Sequence, residues 1–226
     1  MKRVIIFDFD GTLADTREII VRTNQEVQRR MGYPITDEEG IMATVGFVLE
    51  ECIQMMYPDL PKNELPAWIA MYREVFDSLK GKIIPKLFPH VKETLEALSE
   101  RGCILTVASS RGTESLQDFL REMGIAPYIS YVLGAQDVQQ PKPHPEPVLK
   151  TLRDLGFDAS EALVVGDMPV DIQMGRGAGA KTCGVSFGNA GREALIQAGA
   201  DFIIDDFREL LDYSHSMVAG GFEEIS

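Results

Sequence analysis

The sequence has few cysteines, few basic side chains and no long apolar run. Its three cysteines, Cys52, Cys103 and Cys183, lie far apart and form no CxxC pair, which predicts reduced structural thiols and a cytoplasmic protein. No apolar stretch approaches the ~20 residues that a membrane-spanning helix needs. The chain begins with a strand-like run at residues 4–9 rather than with a signal peptide. We therefore expect neither a disulfide scaffold nor a membrane protein.

Basic residues are outnumbered by acidic ones, 22 against 35, so the formal net charge is −13. A surface this acidic repels nucleic acid and anionic membranes, and neither is an expected partner. It also repels an anionic substrate. A phosphate site on this protein would therefore need local cations or a metal ion.

Short apolar runs alternate with helical patterns over most of the 226 residues. The runs are mostly continuous, as in strands that are covered on both faces of a parallel sheet. The predicted strands are residues 4–9, 104–108, 131–133, 162–165, 182–185 and 202–204. The predicted helices between them, each ending near a glycine, are residues 91–100, 113–123, 146–155, 171–178 and 193–198. This order predicts an α/β fold with a doubly wound parallel sheet.

One stretch interrupts the alternation. Residues 15–82 show only helical patterns, at 16–31, 48–56 and 63–79, separated by prolines. We interpret 15–82 as a helical subdomain inserted into a Rossmann-like core formed by residues 1–14 and 83–226. The tail from Ser214 shows no periodicity, and we expect it to fray.

The first candidate site motif is Phe-Asp-Phe-Asp-Gly-Thr-Leu at residues 7–13. Asp8 and Asp10 end an apolar strand, and their i, i+2 spacing would place both carboxylates on one face of a regular strand. Ligands of open α/β sheets bind beyond the carboxyl ends of strands. The alternative is a pair of solvated loop acids.

A second acid pair, Asp167 and Asp171, follows the apolar run 163–165 in the same way. Asp171 could instead cap the next helix. If the strands are neighbours, Asp8, Asp10 and Asp167 converge on one point. Hard oxygen ligands of this kind suit Mg²⁺.

Two further motifs could contact phosphate. Ser109, Ser110, Arg111 and Gly112 lie between a predicted strand and a helix, where hydroxyls and backbone amides bind anions, although an N-cap serine is the alternative. Lys142 is flanked by prolines in Pro-Lys-Pro-His-Pro, a rigid turn that would hold one ammonium group in place, although a lone lysine is often only solvated.

Together these motifs resemble a known family. Asp-Phe-Asp-Gly-Thr-Leu, Ser109, Lys142 in Lys-Pro-His-Pro, and Gly-Asp-x-x-x-Asp from Gly166 occur in the order of the four motifs of the haloacid dehalogenase superfamily. The chain is most similar to the phosphoglycolate phosphatase-like branch, in which a helical cap follows the first motif. The resemblance covers nearly the whole chain.

The resemblance implies catalytic roles for four residues. It implies that Asp8 is the nucleophile and Asp10 the general acid and base. Ser109 matches the hydroxyl that binds phosphate. Lys142 matches the lysine that neutralises the nucleophile and the phosphate.

The resemblance also implies a Mg²⁺ site formed by Asp8, the backbone carbonyl of Asp10, and Asp167, with Asp171 supporting it. Substrate-binding positions would be Ser109, Ser110, Lys142 and the cap loop Thr44-Val45-Gly46. The alternative for that loop is a plain connection between helices.

The implied function is a magnesium-dependent phosphatase that acts on a small phosphorylated metabolite through a phospho-aspartate. Its substrate would be a phosphoglycolate-like monoester or pyrophosphate. The alternatives are a sugar-phosphate mutase of the β-phosphoglucomutase type and a non-catalytic binding domain. A dehalogenase lacks an acid at the Asp10 position, so Asp10 argues against it. His90 stands where relatives often have glycine, which affects the local turn rather than the chemistry.

Overall fold

A six-stranded sheet organises the protein, whose computed structural model describes residues 3–213. All neighbouring strands in this sheet are parallel, in the spatial order β5-β4-β1-β6-β7-β8. The strands are β1 (Val4–Phe7), β2 (Ala14–Asp15), β3 (Lys86–Leu87), β4 (Ile104–Ala108), β5 (Ile129–Leu133), β6 (Ala162–Gly166), β7 (Lys181–Val185) and β8 (Phe202–Ile204). The expected fraying from Ser214 onward lies outside the described residues.

Helices cover both faces of this sheet. They are α1 (Arg17–Met31), α2 (Glu38–Met42), α3 (Leu49–Met56), α4 (Leu65–Leu79), α5 (Val91–Glu100), α6 (Thr113–Glu122), α7 (Glu146–Leu155), α8 (Pro169–Gly177) and α9 (Gly191–Ala198). Val4 and Ile6 of β1 pack with α7 and α8, whereas Ile5 and Phe7 pack with α5 and α6. Because strand side chains alternate between faces, a strand buried on both sides is a continuous apolar run. The predicted doubly wound α/β fold is confirmed.

The first four helices lie between β2 and β3, which pair antiparallel with Ala14 opposite Leu87. We call the residues between these strands the helical insert. Its helices share an apolar cluster of their own, formed by Val27, Ile53, Leu60, Trp68 and Val75. The helix α2 was not predicted. It has only five residues, and its first turn is stabilised by Asp37, whose carboxylate accepts a hydrogen bond from the Gly40 N–H at 2.8 Å.

Several element bounds differ from the predicted ones for clear physical reasons. The strand β1 ends at Phe7 rather than residue 9, because the carbonyl of Phe9 accepts hydrogen bonds from the N–H groups of Leu13 and Ala14 in a tight turn. The helix α8 begins at Pro169 rather than Asp171, since proline needs no N–H partner in a first helical turn. No helix among residues 3–213 has the length and apolar character to cross a membrane.

His90 adopts a left-handed conformation, with φ of 65°. It immediately precedes α5, and its Nδ1 lies 3.2 Å from the Asp206 carboxylate. The turn for which the resemblance led us to expect glycine is made here by histidine, a residue that tolerates this region better than most.

Candidate active site

Three neighbouring strands bring the predicted site residues to one edge of the sheet. In the order β4-β1-β6, Ser109 follows β4, Asp8 follows β1 and Asp167 follows β6. All three side chains are buried. The Asp8 N–H donates to the carbonyl of Val165 at 2.8 Å, which fixes the start of the turn against β6. This is the edge at which open α/β sheets bind ligands.

Three buried carboxylates meet there around one ammonium group. One oxygen from each of Asp8, Asp167 and Asp171 lies within 4.8 Å of the others. Lys142 Nζ donates to Asp8 Oδ1 at 2.5 Å and to Asp171 Oδ1 at 2.7 Å. Lys142 is only 2% exposed, so three carboxyl groups share one ammonium group with little help from water. We call these four residues the acid cluster.

The excess negative charge shows in the pKa values of the acid cluster. Burial raises the pKa of Asp8 to about 7; Lys142 opposes this rise and Asp171 adds to it. Burial, and then Asp8 and Asp171, raise the pKa of Asp167 well above its ordinary value. Burial lowers the pKa of Lys142, but Asp171 and Asp8 outweigh it and raise that pKa overall. A bound cation would relieve this repulsion.

The donor set of the acid cluster fits Mg²⁺. It offers hard carboxylate oxygens at a buried point with unbalanced negative charge. The Asp167 carboxylate also accepts hydrogen bonds from the Thr12 hydroxyl at 3.1 Å and from the Asn189 backbone N–H at 2.7 Å. Such supporting hydrogen bonds orient a metal-binding carboxylate.

The expected convergence of Asp8, Asp10 and Asp167 was wrong for the Asp10 side chain. The Asp10 carboxylate accepts from Arg111 NH2 at 2.6 Å and Nε at 3.1 Å, and from the Thr16 hydroxyl at 2.6 Å. The reason is the turn after Asp8: the backbone does not continue as a strand, so the i, i+2 rule does not apply. The different direction of the Asp10 side chain does not bear on its backbone carbonyl, which is the group that the resemblance assigned to the metal.

Asp171 takes the place in the cluster that Asp10 was expected to have. Its Oδ1 accepts from Lys142, and its Oδ2 accepts from the Met168 N–H at 3.0 Å, across the first turn of α8. One Asp171 oxygen thus caps the first turn of α8, and the other contacts Lys142 in the cluster. The two alternative roles of Asp171 are therefore compatible.

The predicted phosphate-binding residues lie beside the acid cluster. Ser109, Ser110 and Lys142 line one small crevice. The Ser109 hydroxyl accepts from the Arg111 N–H at 3.2 Å. The Ser110 hydroxyl, however, donates to the Gly46 carbonyl of the helical insert at 2.6 Å. Ser110 thus joins the insert to the core in this structure.

The loop Thr44-Val45-Gly46 lies against the core, where the sequence predicted that it could point. Gly46 has φ of +105°, and a Cβ there would come within 3.0 Å of Val170 Cγ2 and 3.4 Å of Met168 Cγ. Met168 directly follows Asp167. The insert therefore contacts the segment that carries the metal-binding candidate, which makes this glycine position sensitive to any side chain.

Two residues shape the site in ways that the sequence did not indicate: Arg111 was named only as part of the anion-binding motif, with no role for its side chain, and Gly188 was not named. Arg111 binds Asp10, and a Cβ on Gly188 would come within 2.2 Å of Asp167 Cβ and 2.5 Å of the Gly11 carbonyl. Both follow the carboxyl ends of sheet strands, β4 and β7. That position was the available signal, because strand ends form the ligand-binding edge.

Comparison with known proteins places the chain in a family. The model of the haloacid dehalogenase-like hydrolase family matches residues 5–185. The chain belongs to this family. The probable phosphatase IndB of Dickeya dadantii is 34% identical over 223 residues, covering 96% of each chain. The pyrophosphatase PpaX of Bacillus pumilus is 33% identical over 207 residues, covering 92% of this chain and 94% of PpaX.

A solved structure is similar over the same extent. The crystal structure described as a predicted phosphoglycolate phosphatase from Haemophilus somnus has a TM-score of 0.87 and 28% identity, covering 94% of this chain and 98% of that one. The superfamily and branch inferred from the four motifs are confirmed. The predicted enzyme class, a phosphoric monoester hydrolase, is confirmed by this membership and by the phosphatase relatives.

Proposed function

We propose that this phosphatase hydrolyses small phosphate monoesters or pyrophosphate in a magnesium-dependent reaction, through a phospho-aspartate formed on Asp8. The observation that carries the proposal is the buried Asp8 carboxylate held by Lys142 at 2.5 Å beside Asp167 and Asp171. A structural ion pair would need one acid for one lysine. Three acids around one lysine are instead suited to receive a cation together with a phosphate.

In the proposed reaction, an Asp8 carboxylate oxygen attacks phosphorus while the bond from phosphorus to the leaving oxygen breaks. Asp10, in its protonated form, gives its proton to that oxygen. Asp10 then takes a proton from the water that attacks the acyl phosphate, which releases inorganic phosphate and restores Asp8. Acid–base assistance of this kind typically contributes about 10²–10⁴ in rate.

Charge balance is the main demand on the site, because an anionic nucleophile must approach an anionic phosphate. Lys142 supplies one fixed cation beside Asp8. Asp8, Asp167 and the backbone carbonyl of Asp10 would hold Mg²⁺, which when bound would offset the charge that develops on the phosphoryl oxygens. Ser109, at the end of β4, would donate its hydroxyl to the phosphate.

The relatives support a small substrate with a second anionic group. The pyrophosphatase relative is named for pyrophosphate, and the solved structure is described as a phosphoglycolate phosphatase. In both compounds a phosphate or a carboxylate lies within one or two bonds of the leaving oxygen. The helical insert would act as a cap that excludes water and selects this leaving group. The free cysteines of the chain are consistent with action in the cytoplasm.

The test is phosphate release from phosphoglycolate, pyrophosphate, nucleotides and hexose phosphates, with and without Mg²⁺. Asp8→Asn keeps the shape of the side chain but removes the attacking anion, so turnover should fall by at least about 10³-fold in a folded protein. Asp59→Asn, an exposed position in the insert, is the control and should behave as wild type. Normal turnover by folded Asp8→Asn protein would refute the covalent mechanism.

A further inference from the structure

Arg111 is a second buried cation near the acid cluster. It lies between β4 and α6, and its side chain is 10% exposed. Its Nε and NH2 donate to the two oxygens of Asp10, and its NH1 donates to the Ser115 hydroxyl at 3.3 Å. These bonds use three of the five N–H donors of a guanidinium group. The remaining two have no acceptor among the described hydrogen bonds, so an acceptor bound there would not have to displace Asp10.

The guanidinium lies between the helical insert and the core. Its carbon is 5.2 Å from the ring centre of Phe76 on α4 and 5.0 Å from that of Phe119 on α6. Tyr72, one turn before Phe76, is close enough that the Arg111 charge opposes the rise that burial causes in the Tyr72 pKa. Aromatic walls exclude water, and a charge in such surroundings attracts an opposite charge more strongly than it would in solvent.

The position of Arg111 relative to Asp10 connects it to the leaving group. In the proposed reaction Asp10 protonates the leaving oxygen. Arg111 donates to both carboxylate oxygens of Asp10, so a leaving group within hydrogen-bond reach of Asp10 would also lie near the guanidinium. Arg111 is also close enough to Asp8 to interact with its charge. Burial lowers the pKa of Arg111, but Asp10, Tyr72 and Asp8 raise it, and the pKa is raised overall.

We infer that Arg111 is a specificity-determining residue that binds a second anionic group of the substrate, a carboxylate or phosphate one or two bonds from the leaving oxygen. The inference rests on the proposed function and adds that the substrate carries a second anionic group. A fixed cation there would favour a substrate with two anionic groups on a protein whose formal net charge is −13. The competing role for Arg111 is purely to position Asp10.

The experiment compares two substrates that differ only in this group, phosphoglycolate and 2-hydroxyethyl phosphate. Wild type should prefer phosphoglycolate in kcat/KM by about 10–100-fold, the usual worth of a hydrogen bond to a charged group. Arg111→Met should reduce this ratio to near one, and Arg111→Lys should keep part of it. Arg73→Met, an exposed arginine on the same helix as Phe76, is the matched control and should leave the ratio unchanged.

The outcomes separate this inference from the proposed function. If Arg111→Met and Arg111→Lys lose the same factor on both substrates, Arg111 acts only through Asp10 and the inference is wrong. If wild type hydrolyses both substrates equally well, the phosphatase proposal stands and the inference is again wrong. If wild type hydrolyses neither these two compounds nor pyrophosphate, both the proposed function and the inference are refuted. Melting curves show whether each variant folds. If Arg111→Met does not fold, the substrate preference of Arg111→Lys compared with that of wild type decides: an unchanged preference would refute the inference.

Discussion

The acid cluster and the contact between the helical insert and the core are held by different kinds of interaction. The cluster residues are at most 4% exposed and are linked by directional hydrogen bonds within the core alone. The insert meets the core through apolar side chains and through several polar links, from Gly46 to Ser110, Arg17 to Asn189, Thr16 to Asp10 and Lys80 to Asp118. Apolar contacts are not directional. The acid-cluster side chains are thus held in one arrangement by hydrogen bonds, whereas the insert is held to the core by apolar contacts together with a few polar pairs.

Removal of the metal is the strongest test of the acid cluster. Because three carboxylates share one ammonium, exhaustive chelation should reduce turnover to background, and Mg²⁺ should restore it. Mg²⁺ at 100 times its dissociation constant should also stabilise the fold by about 2.7 kcal/mol. Thermal melts of wild type and Asp167→Asn measure this, and only wild type should gain stability. Unchanged activity and melting temperature after chelation would show that the cluster is not a metal site.

Lys142→Met tests the same cluster from its cationic side. It removes the ammonium that bridges Asp8 and Asp171, so kcat/KM should fall by about 10³-fold, and the metal-free protein should lose about 3 kcal/mol of stability. Lys150→Met breaks a surface pair with Asp154 and serves as control, with less than about 1 kcal/mol lost and normal turnover. Steady-state kinetics and denaturant melts provide both numbers. Similar effects of the two variants would mean that Lys142 has no special role.

The sequence predicted the core side of this comparison better than the insert side. An apolar run followed by an acid marks a strand end, so Asp8 and Asp167 could be placed once a parallel sheet was inferred. The direction of Asp10 could not be predicted, because it depends on the hydrogen bonds of the Phe9 carbonyl in the turn. The contact from Arg111 to Asp10 joins residues 101 positions apart, and no periodic pattern encodes such a pair.

Gly46→Ala tests the insert side. A Cβ at this position strains a backbone with φ of +105° and meets Val170, so it should push the loop away from the core and raise KM several-fold. Gly32→Ala shares the strain at φ of +75° but meets nothing within 4 Å. Both variants should lose about 1 kcal/mol of stability, and only Gly46→Ala should change KM. The Mg²⁺-induced rise in melting temperature should persist in both, because the metal-binding candidates lie on the core. Equal kinetics for the two alanine variants would remove the loop from the site.

The smallest effect on activity is expected at His90, which belongs to neither region. Its left-handed conformation costs an ordinary residue about 1–2 kcal/mol, and glycine would remove that cost. Glycine would also lose the contact with Asp206 and add freedom to the unfolded chain, each worth up to about 1 kcal/mol. These terms nearly cancel, so His90→Gly should change the free energy of unfolding by less than about 1 kcal/mol. His90→Val, with a branched side chain that fits this region poorly, should lose about 1–2 kcal/mol. Turnover should be normal in both, because His90 touches neither the acid cluster nor the insert loop in the described contacts. A loss of turnover in His90→Gly, measured beside its denaturant melt, would instead mean that the turn before α5 helps to shape the site.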